Sequence, residues 1–152
     1  MSEVRILTCE VSLLFFSLPY LLFILSLYSI SQSVHTGPNV TFVYINIPTT
    51  WTEAQSYCRA NYTDLASVRN MAENQKIQDL VPDEDKAWIG LSRDSWKWSD
   101  GSHSTFRFWK DQQPDNYENE ACVVADFSFS GRWADLSCER KAAFICYSPR
   151  EW

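Results

Sequence analysis

KAWIGLSRDSWKWSDGS (residues 86–102) is the stretch that decides the fold. Its first six residues, apolar after the lysine, predict a short buried strand, and WKW (residues 96–98) predicts another. Asp100-Gly101 is a turn signal ahead of the aromatic run TFRFW (residues 105–109). Four tryptophans that stand beside other apolar residues are predicted to be core residues: Trp88, Trp98, Trp109 and Trp133.

The residues before this stretch predict one strand and two helices. TFVYINI (residues 41–47) alternates and is rich in β-branched and aromatic residues, which is typical of a strand. A helix is predicted to follow, because Thr50 and Glu53 fit a capping box and apolar residues then recur on one helical face. A second helix is predicted from Asn70 to about Val81, since Asn70 is also followed by an acidic residue three positions later.

The residues after it predict further short strands: ACVVA (residues 121–125), residues 132–133, and AFICY (residues 143–147). We find no internal repeat and no Gly/Ser linker beyond residue 34. Two helices followed by short strands predict a single domain of the α+β class.

Residues 11–30, VSLLFFSLPYLLFILSLYSI, contain no charged residue. That length suits a transmembrane helix, for which about 18 apolar residues suffice. Small residues such as Ser29, Ser31 and Ser33 instead favour cleavage by signal peptidase, and a first strand near residue 41 leaves almost no stalk. We therefore expect residues 1–33 to be a signal peptide and residues 34–150 to be a secreted domain. The alternative is a type II membrane protein with an extracellular domain, the only case in which we expect membrane contact.

Cysteine usage agrees with export from the cell. Cys58, Cys122, Cys138 and Cys146 form an even set, while Cys9 lies in the expected targeting segment. Four cysteines imply two disulfides, and three pairings are possible.

Two sequons and the charge balance describe the surface. Asn39 and Asn61 each begin an Asn-x-Thr pattern and are expected glycan acceptors in an exported chain. The formal net charge is −6 and stays negative if residues 1–33 are removed. The sequence contains no basic patch, so we do not expect nucleic-acid binding.

DQQPDNYENEACVV (residues 111–124) places acids and amides around a proline and then enters an apolar run. Gln113, Asp115 and Glu120, with Asp135 farther on, offer only oxygen ligands, which suit Ca²⁺ in a flexible loop. Zinc is disfavoured, because its structural sites use Cys or His. The alternative is a solvated acidic loop, as most short runs of Asp, Glu and Asn are.

Taken together, these motifs resemble those of the C-type lectin-like domains over residues 41–148. The resemblance rests on WIGL (88–91), the WKWSDGS that follows, QPD (113–115), Glu120 two residues before Cys122, WAD (133–135) and the order of the four cysteines. It implies a double-loop α+β fold of two helices and short antiparallel strands. It also implies nested disulfides, Cys58 with Cys146 and Cys122 with Cys138.

The resemblance further implies a ligand. In this family a Ca²⁺ is shared between protein oxygens and two vicinal sugar hydroxyls, which assigns four metal ligands here: Gln113, Asp115, Glu120 and Asp135. Gln113, Asp115 and Glu120 would also meet the sugar, and Tyr117 would either stack on its apolar face or be an ordinary surface tyrosine. Gln-Pro-Asp at 113–115 goes with galactose-type sugars and with a cis Pro114. We therefore expect calcium-dependent binding of glycans or glycoproteins.

One residue departs from the family pattern. Metal-binding members have Trp-Asn-Asp where this chain has Trp133-Ala134-Asp135, so one amide oxygen is missing. Losing a neutral ligand should weaken Ca²⁺ binding rather than forbid it. The rival prediction is a calcium-independent protein-binding domain that has lost its metal site.

Oligomerisation for avidity is possible. We do not expect an enzyme, because a turn histidine (His103) and paired carboxylates are weak catalytic signals.

Overall fold

The computed structural model describes residues 40–93 and 95–149 in full and residues 32–36 as backbone. The predicted targeting segment up to residue 31 and the sequon asparagine Asn39 lie outside the described residues. The elements in chain order are β1 (Gln32–Thr36), β2 (Val40–Thr49), α1 (Trp51–Asn61), β3 (Asp64–Leu65), α2 (Met71–Leu80), β4 (Lys86–Ser92), β5 (Lys97–Trp98), β6 (Cys122–Asp126), β7 (Arg132–Leu136) and β8 (Ala142–Pro149). Two helices with a strand-rich second half confirm the predicted α+β class.

The strands form one sheet in the order β1-β2-β8-β4-β6-β7, with β3 paired to β8 and β5 to β4. The pairing is antiparallel everywhere except between β4 and β8, which run parallel. β8, the last strand, therefore lies in the middle of the sheet, between the first long strand and the strand that carries WIGL. This places β6 and β7 at one edge, where the polar loop before β6 begins.

Both predicted helices start at the predicted caps. In α1, Thr50 Oγ1 accepts from the N–H of Glu53, and the Glu53 carboxylate accepts from the N–H of Thr50, which is a complete capping box. In α2, Asn70 caps the N–H of Glu73 at 2.9 Å. The second half of the box differs from the prediction, because the Glu73 carboxylate accepts from the N–H of Arg69 and pairs with its guanidinium instead.

Alternate residues of the strands enter two buried clusters. Ile89, Val123 and Ile145 pack with α2 residues such as Ile77 in one cluster. Their neighbours along the strands, among them Trp88, Val124 and Phe144, pack in the other cluster with three residues of α1: Trp51, Ala54 and Cys58. Period-two alternation in the strands thus fixes which side of the sheet each residue covers.

The disulfides are the nested pair that the resemblance implied. Cys58–Cys146 joins α1 to β8, and Cys122–Cys138 joins the start of β6 to the residues after β7. The backbone N–H of Trp51 also donates to the carbonyl of Cys138 at 3.1 Å. The inner disulfide therefore ties the polar loop to the start of α1.

The aromatic run after the turn differs from the strand-like pattern. Gly101 has φ +75° and its N–H donates to the Trp98 carbonyl, so the predicted turn forms. Residues 105–108 are irregular, and Trp109 makes only an isolated bridge to Trp133. The guanidinium of Arg107 donates to the carbonyls of Ser104, Phe106 and Trp96, and so occupies the Phe106 acceptor that a strand partner would use.

Three of the four predicted core tryptophans, Trp88, Trp98 and Trp133, are buried. Trp109 is only half-buried, so that its assignment to the core interior was wrong. It covers the core from outside, with its ring against the edge of Trp133 at a centroid distance of 6.0 Å.

The N-terminal strand was not predicted from the sequence. β1 pairs antiparallel with β2, from Gln32 opposite Ile45 to Thr36 opposite Thr41. It runs across the predicted boundary between residues 33 and 34, which stays a prediction. Within the described residues, every helix is too short or too polar to cross a bilayer.

Candidate functional site

Three carboxylates predicted to be metal ligands come together at the edge of the sheet. One oxygen each from Asp115, Glu120 and Asp135 lies within 4.8 Å of the others. Asp135 is on β7 and only 3% exposed, whereas Asp115 is exposed and Glu120 is half-buried. Hard oxygen ligands crowded in this way are the donor set that Ca²⁺ uses in proteins.

The loop before β6 reaches β7 through hydrogen bonds of its own backbone. The Asp135 carboxylate accepts from the N–H groups of Asp115 at 3.2 Å and Asn116 at 2.9 Å. Asp115 in turn accepts from the N–H of Tyr117 at 3.0 Å. The peptide bond between Gln113 and Pro114 is cis, as the resemblance implied. These contacts hold the loop with its acidic groups toward β7.

Gln113, the fourth predicted ligand, bridges the same acids. Its amide nitrogen donates to Asp115 at 2.7 Å, and its amide oxygen accepts from the backbone N–H of Asp135 at 3.1 Å. The amide oxygen that would bind a metal therefore already has a backbone partner. Binding of an ion by Gln113 requires this amide to rotate or to use its second lone pair.

The acids create a strongly negative local field. Burial raises the pKa of the Glu120 carboxyl, and the neighbouring carboxylates of Asp135 and Asp115 raise it further. Each of these causes disfavours a negative charge at Glu120. A bound divalent cation would reverse that effect, since it offsets the charges that repel one another.

The carboxylates line one part of a shallow cleft of about 330 Å³. Ala134 also lines this cleft, at the position where the family's metal-binding members carry Asn. Tyr117 lies on the rim and is 67% exposed. The cleft thus has acidic oxygens, one exposed aromatic ring, and an alanine methyl group in place of an amide.

Two lysines that line the same cleft were not predicted to be site residues from the sequence. Lys86 begins β4 and Lys110 precedes the Gln-Pro-Asp tripeptide, and both line the cleft. Each approaches the buried carboxylate of Asp126, at 3.5 Å and 3.3 Å respectively. No motif marks these lysines, because β4 and the loop meet only through the pairing of β4, β6 and β7.

The other predicted site residues lie away from the cleft. Asn61 is exposed at the end of α1, and its amide donates to the carbonyl of Tyr57. Glycosylation at Asn61 and Asn39 stays a prediction. His103 is exposed in an irregular segment, and we assign it no role.

A family model described as the lectin C-type domain matches residues 47–148. The human protein "C-type lectin domain family 17, member A" is 33% identical over 100 residues, which cover 63% of this chain and 26% of that protein. "C-type lectin TsL" from Trimeresurus stejnegeri is 36% identical over 111 residues, 65% of this chain and 70% of that one.

Solved structures give the same assignment. The mouse scavenger receptor C-type lectin carbohydrate-recognition domain superposes with a TM-score of 0.72 at 27% identity, over 78% of this chain and 96% of that one. The chain belongs to the C-type lectin domain family. Domains of this family bind carbohydrates or proteins and are not enzymes, which agrees with the class expected from the sequence.

Proposed function

We propose that this domain is a calcium-dependent lectin with a preference for galactose-type sugars. Gln113, Asp115, Glu120 and Asp135 would hold the ion, and Tyr117 would stack on the apolar face of the sugar. The observation that carries the proposal is the approach of three carboxylates to within 4.8 Å at the edge of a cleft. The matched relatives named as C-type lectins support the carbohydrate-binding part of it.

The residues suggest how a sugar would be selected. When bound, calcium supplies an electrophile that two neighbouring hydroxyl groups can share with the protein oxygens. An amide at 113 and a carboxylate at 115 fix which side of the hydroxyl pair meets a donor and which meets only acceptors. The exposed ring of Tyr117 offers an apolar face beside them. The galactose-type preference itself comes from the resemblance, in which Gln-Pro-Asp at 113–115 goes with galactose-type sugars.

Affinity for a single sugar should be weak, because the cleft is shallow and open. Useful binding would then depend on several sites acting on one multivalent glycan or glycoprotein.

The protein is proposed to be secreted, as expected from its N-terminal segment. Detection of the protein in the medium of expressing cells supports this, and its presence only in the membrane fraction contradicts it.

Retention on galactose-agarose tests the proposal. The protein should bind in millimolar Ca²⁺, elute with EDTA, and bind mannose-agarose less. Asp115→Ala should abolish retention because it removes a ligand oxygen, whereas Glu118→Gln, a change to an exposed acid of the same loop outside the cluster, should leave retention intact. Retention of the wild type that EDTA leaves unchanged would contradict calcium dependence.

A second candidate is a calcium-independent protein-binding domain. Two observations favour it: Ala134 lacks the amide oxygen, and hydrogen bonds among Gln113, Asp115 and Asp135 already hold the loop. The melting temperature and retention on sugar resins together decide between the two candidates. A value unmoved by millimolar Ca²⁺, together with no retention on any sugar resin, supports the protein-binding candidate.

A further inference from the structure

Lys110 lines the same cleft as the acidic cluster and is held in place from two sides. Its Nζ donates to Asp126 Oδ2 at 3.3 Å and lies 3.4 Å from the ring centroid of Phe129. An ammonium group has three N–H donors. Contacts with the carboxylate and the ring use two of them, so one donor is left for the cleft that Lys110 lines.

Lys86 adds a second positive charge at the same place. Its Nζ lies 3.5 Å from the same Asp126 oxygen, and its side chain is 53% exposed. Asp126 is 1% exposed, and its other oxygen accepts from Ser128 Oγ. One carboxylate therefore faces two ammonium groups, so this pair of lysines carries one positive charge beyond that of Asp126, in a cleft that Asp111 and the acidic cluster also line.

The strand register sets the backbone spacing between Asp126, which anchors both lysines, and the strand position that carries Asp135. Asp135 lies opposite Val123, and Arg132 lies opposite Asp126, which is three residues later on β6 and, because the strands are antiparallel, three residues earlier on β7. At about 3.4 Å per residue, the two positions are about 10 Å apart. A substituent on a galactoside bound at the acidic cluster would lie in the same cleft that Lys86 and Lys110 line.

We infer that Lys110 and Lys86 form a subsite for an anionic substituent, a sulfate ester or a carboxylate, of a galactose-type glycan bound at the neighbouring acidic cluster. The inference rests on the proposed function and adds a substrate class to it: anionic galactosides. Asp111 opposes this subsite, because its exposed carboxylate follows Lys110 directly and lines the same cleft.

Calorimetric titration of the protein in Ca²⁺ with lactose, sulfolactose and sialyllactose tests the inference. At least one anionic ligand should bind about three- to tenfold tighter than lactose, as expected for one partly exposed charged contact. The identity of that ligand separates sulfate from carboxylate. The advantage should shrink in high salt, since exposed charges are screened.

Variants assign the effect to the lysines. Lys110→Gln, which keeps a polar N–H donor without the charge, should reduce the ratio of anionic to neutral affinity, and Lys86→Gln should do so to a smaller extent. Lys141→Gln, an exposed lysine outside the cleft lining, is the matched control and should keep the ratio. Asp111→Asn should raise the ratio, because it removes the opposing charge.

The outcomes separate this inference from the proposed function. Equal affinity for lactose and both anionic ligands overturns the cationic subsite while leaving the lectin proposal intact. A ratio unchanged in Lys110→Gln, with its melting temperature also unchanged, overturns the assignment to Lys110. Absence of binding by lactose and by both anionic ligands in Ca²⁺ overturns the proposed function and this inference with it.

Discussion

Replacement of Glu120 by Gln should change stability in opposite directions with and without calcium. Without an ion, the Glu120 carboxylate shares a space of 4.8 Å with those of Asp115 and Asp135. Two unit charges at that separation repel by about 3.5 kcal/mol at an effective dielectric constant of about 20, and by about 0.9 kcal/mol in bulk water. Because Asp115 is exposed and Glu120 half-buried, screening favours the lower value. We expect Glu120→Gln to raise the free energy of unfolding by about 1 kcal/mol in EDTA.

With calcium the same substitution should be unfavourable. An ion that binds only the folded state stabilises it by about 2.7 kcal/mol at a hundredfold excess over Kd. The variant keeps a neutral oxygen but loses a charged ligand, so its gain should be smaller. In scanning calorimetry, 1 kcal/mol corresponds to about 3–5 °C for a domain of this size. The variant should therefore melt above the wild type in EDTA and lose that advantage in excess Ca²⁺.

Glu118→Gln is the matched control, because Glu118 is an exposed acid in the same loop and outside the cluster. Its melting temperature should follow that of the wild type more closely in both conditions. If Glu120→Gln melts below the wild type in EDTA, the carboxylates do not repel one another as argued. If its Ca²⁺-induced rise in melting temperature equals that of the wild type, Glu120 is not a ligand.

Three further substitutions test the site and its support. Ala134→Asn restores an amide oxygen at the cleft and should tighten Ca²⁺ binding roughly tenfold; calorimetric titration that shows no gain counts against the ligand assignment. Loss of the Cys122–Cys138 disulfide in a double Ser variant, which opens a loop with a sequence separation of 16, should lower the free energy of unfolding by about 3 kcal/mol in denaturant titrations; an unchanged midpoint contradicts that role. Burial would raise the pKa of Asp100, but hydrogen bonds from neighbouring groups, including the Tyr147 hydroxyl at 2.8 Å, outweigh it and lower the pKa. The stabilisation from Asp100 is therefore present above the unfolded-state pKa of about 3.9 and is lost as pH falls through the lower folded-state value. Asp100→Asn should reduce the free energy of unfolding at neutral pH by about 1–3 kcal/mol and make it depend less on pH in acid. If the free energy of unfolding of the variant varies with pH as that of the wild type does, the assignment to Asp100 is contradicted.

The helices could be predicted because their signals are local. A cap residue and the residue three positions later lie within one turn, so Thr50 and Asn70 mark both helix starts without reference to the rest of the chain. The strands of KAWIGL and ACVVA were found for a similar reason, since both are short buried runs. The partner strands and their parallel or antiparallel direction could not be predicted, because pairing joins strands that are far apart in the sequence.

The aromatic segment after Gly101 shows where local signals fail. Residues 105–109 carry the alternation of a strand, but the guanidinium of Arg107 satisfies the backbone carbonyl of Phe106 and that of the preceding Ser104, and the segment stays irregular. A side chain competes with a strand partner for the same acceptors, and the sequence does not say which succeeds. Trp109 is accordingly half-buried on the outside of the core.

For the candidate site, the sequence predicted the types of ligand residue but not their hydrogen-bond partners or the neighbouring lysines. Oxygen ligands in the loop and on β7 indicated where a cation would bind, and Asp115, Glu120 and Asp135 do converge. The hydrogen bond from Asp135 N–H to the Gln113 amide oxygen depends on the register of loop and strand. The lysines of the cleft were missed because Lys86 and Lys110 meet only through the buried Asp126.

Titration of metal-free protein with Ca²⁺ in a calorimeter tests most directly whether the clustered oxygens bind an ion. We predict saturable binding of one ion per chain, with a Kd of about 10⁻⁴–10⁻³ M, the range of extracellular calcium modules, and weaker binding by Asp135→Asn, which keeps a neutral oxygen but loses a charged ligand. Absence of saturable heat, together with a melting temperature that Ca²⁺ leaves unchanged, would contradict the account.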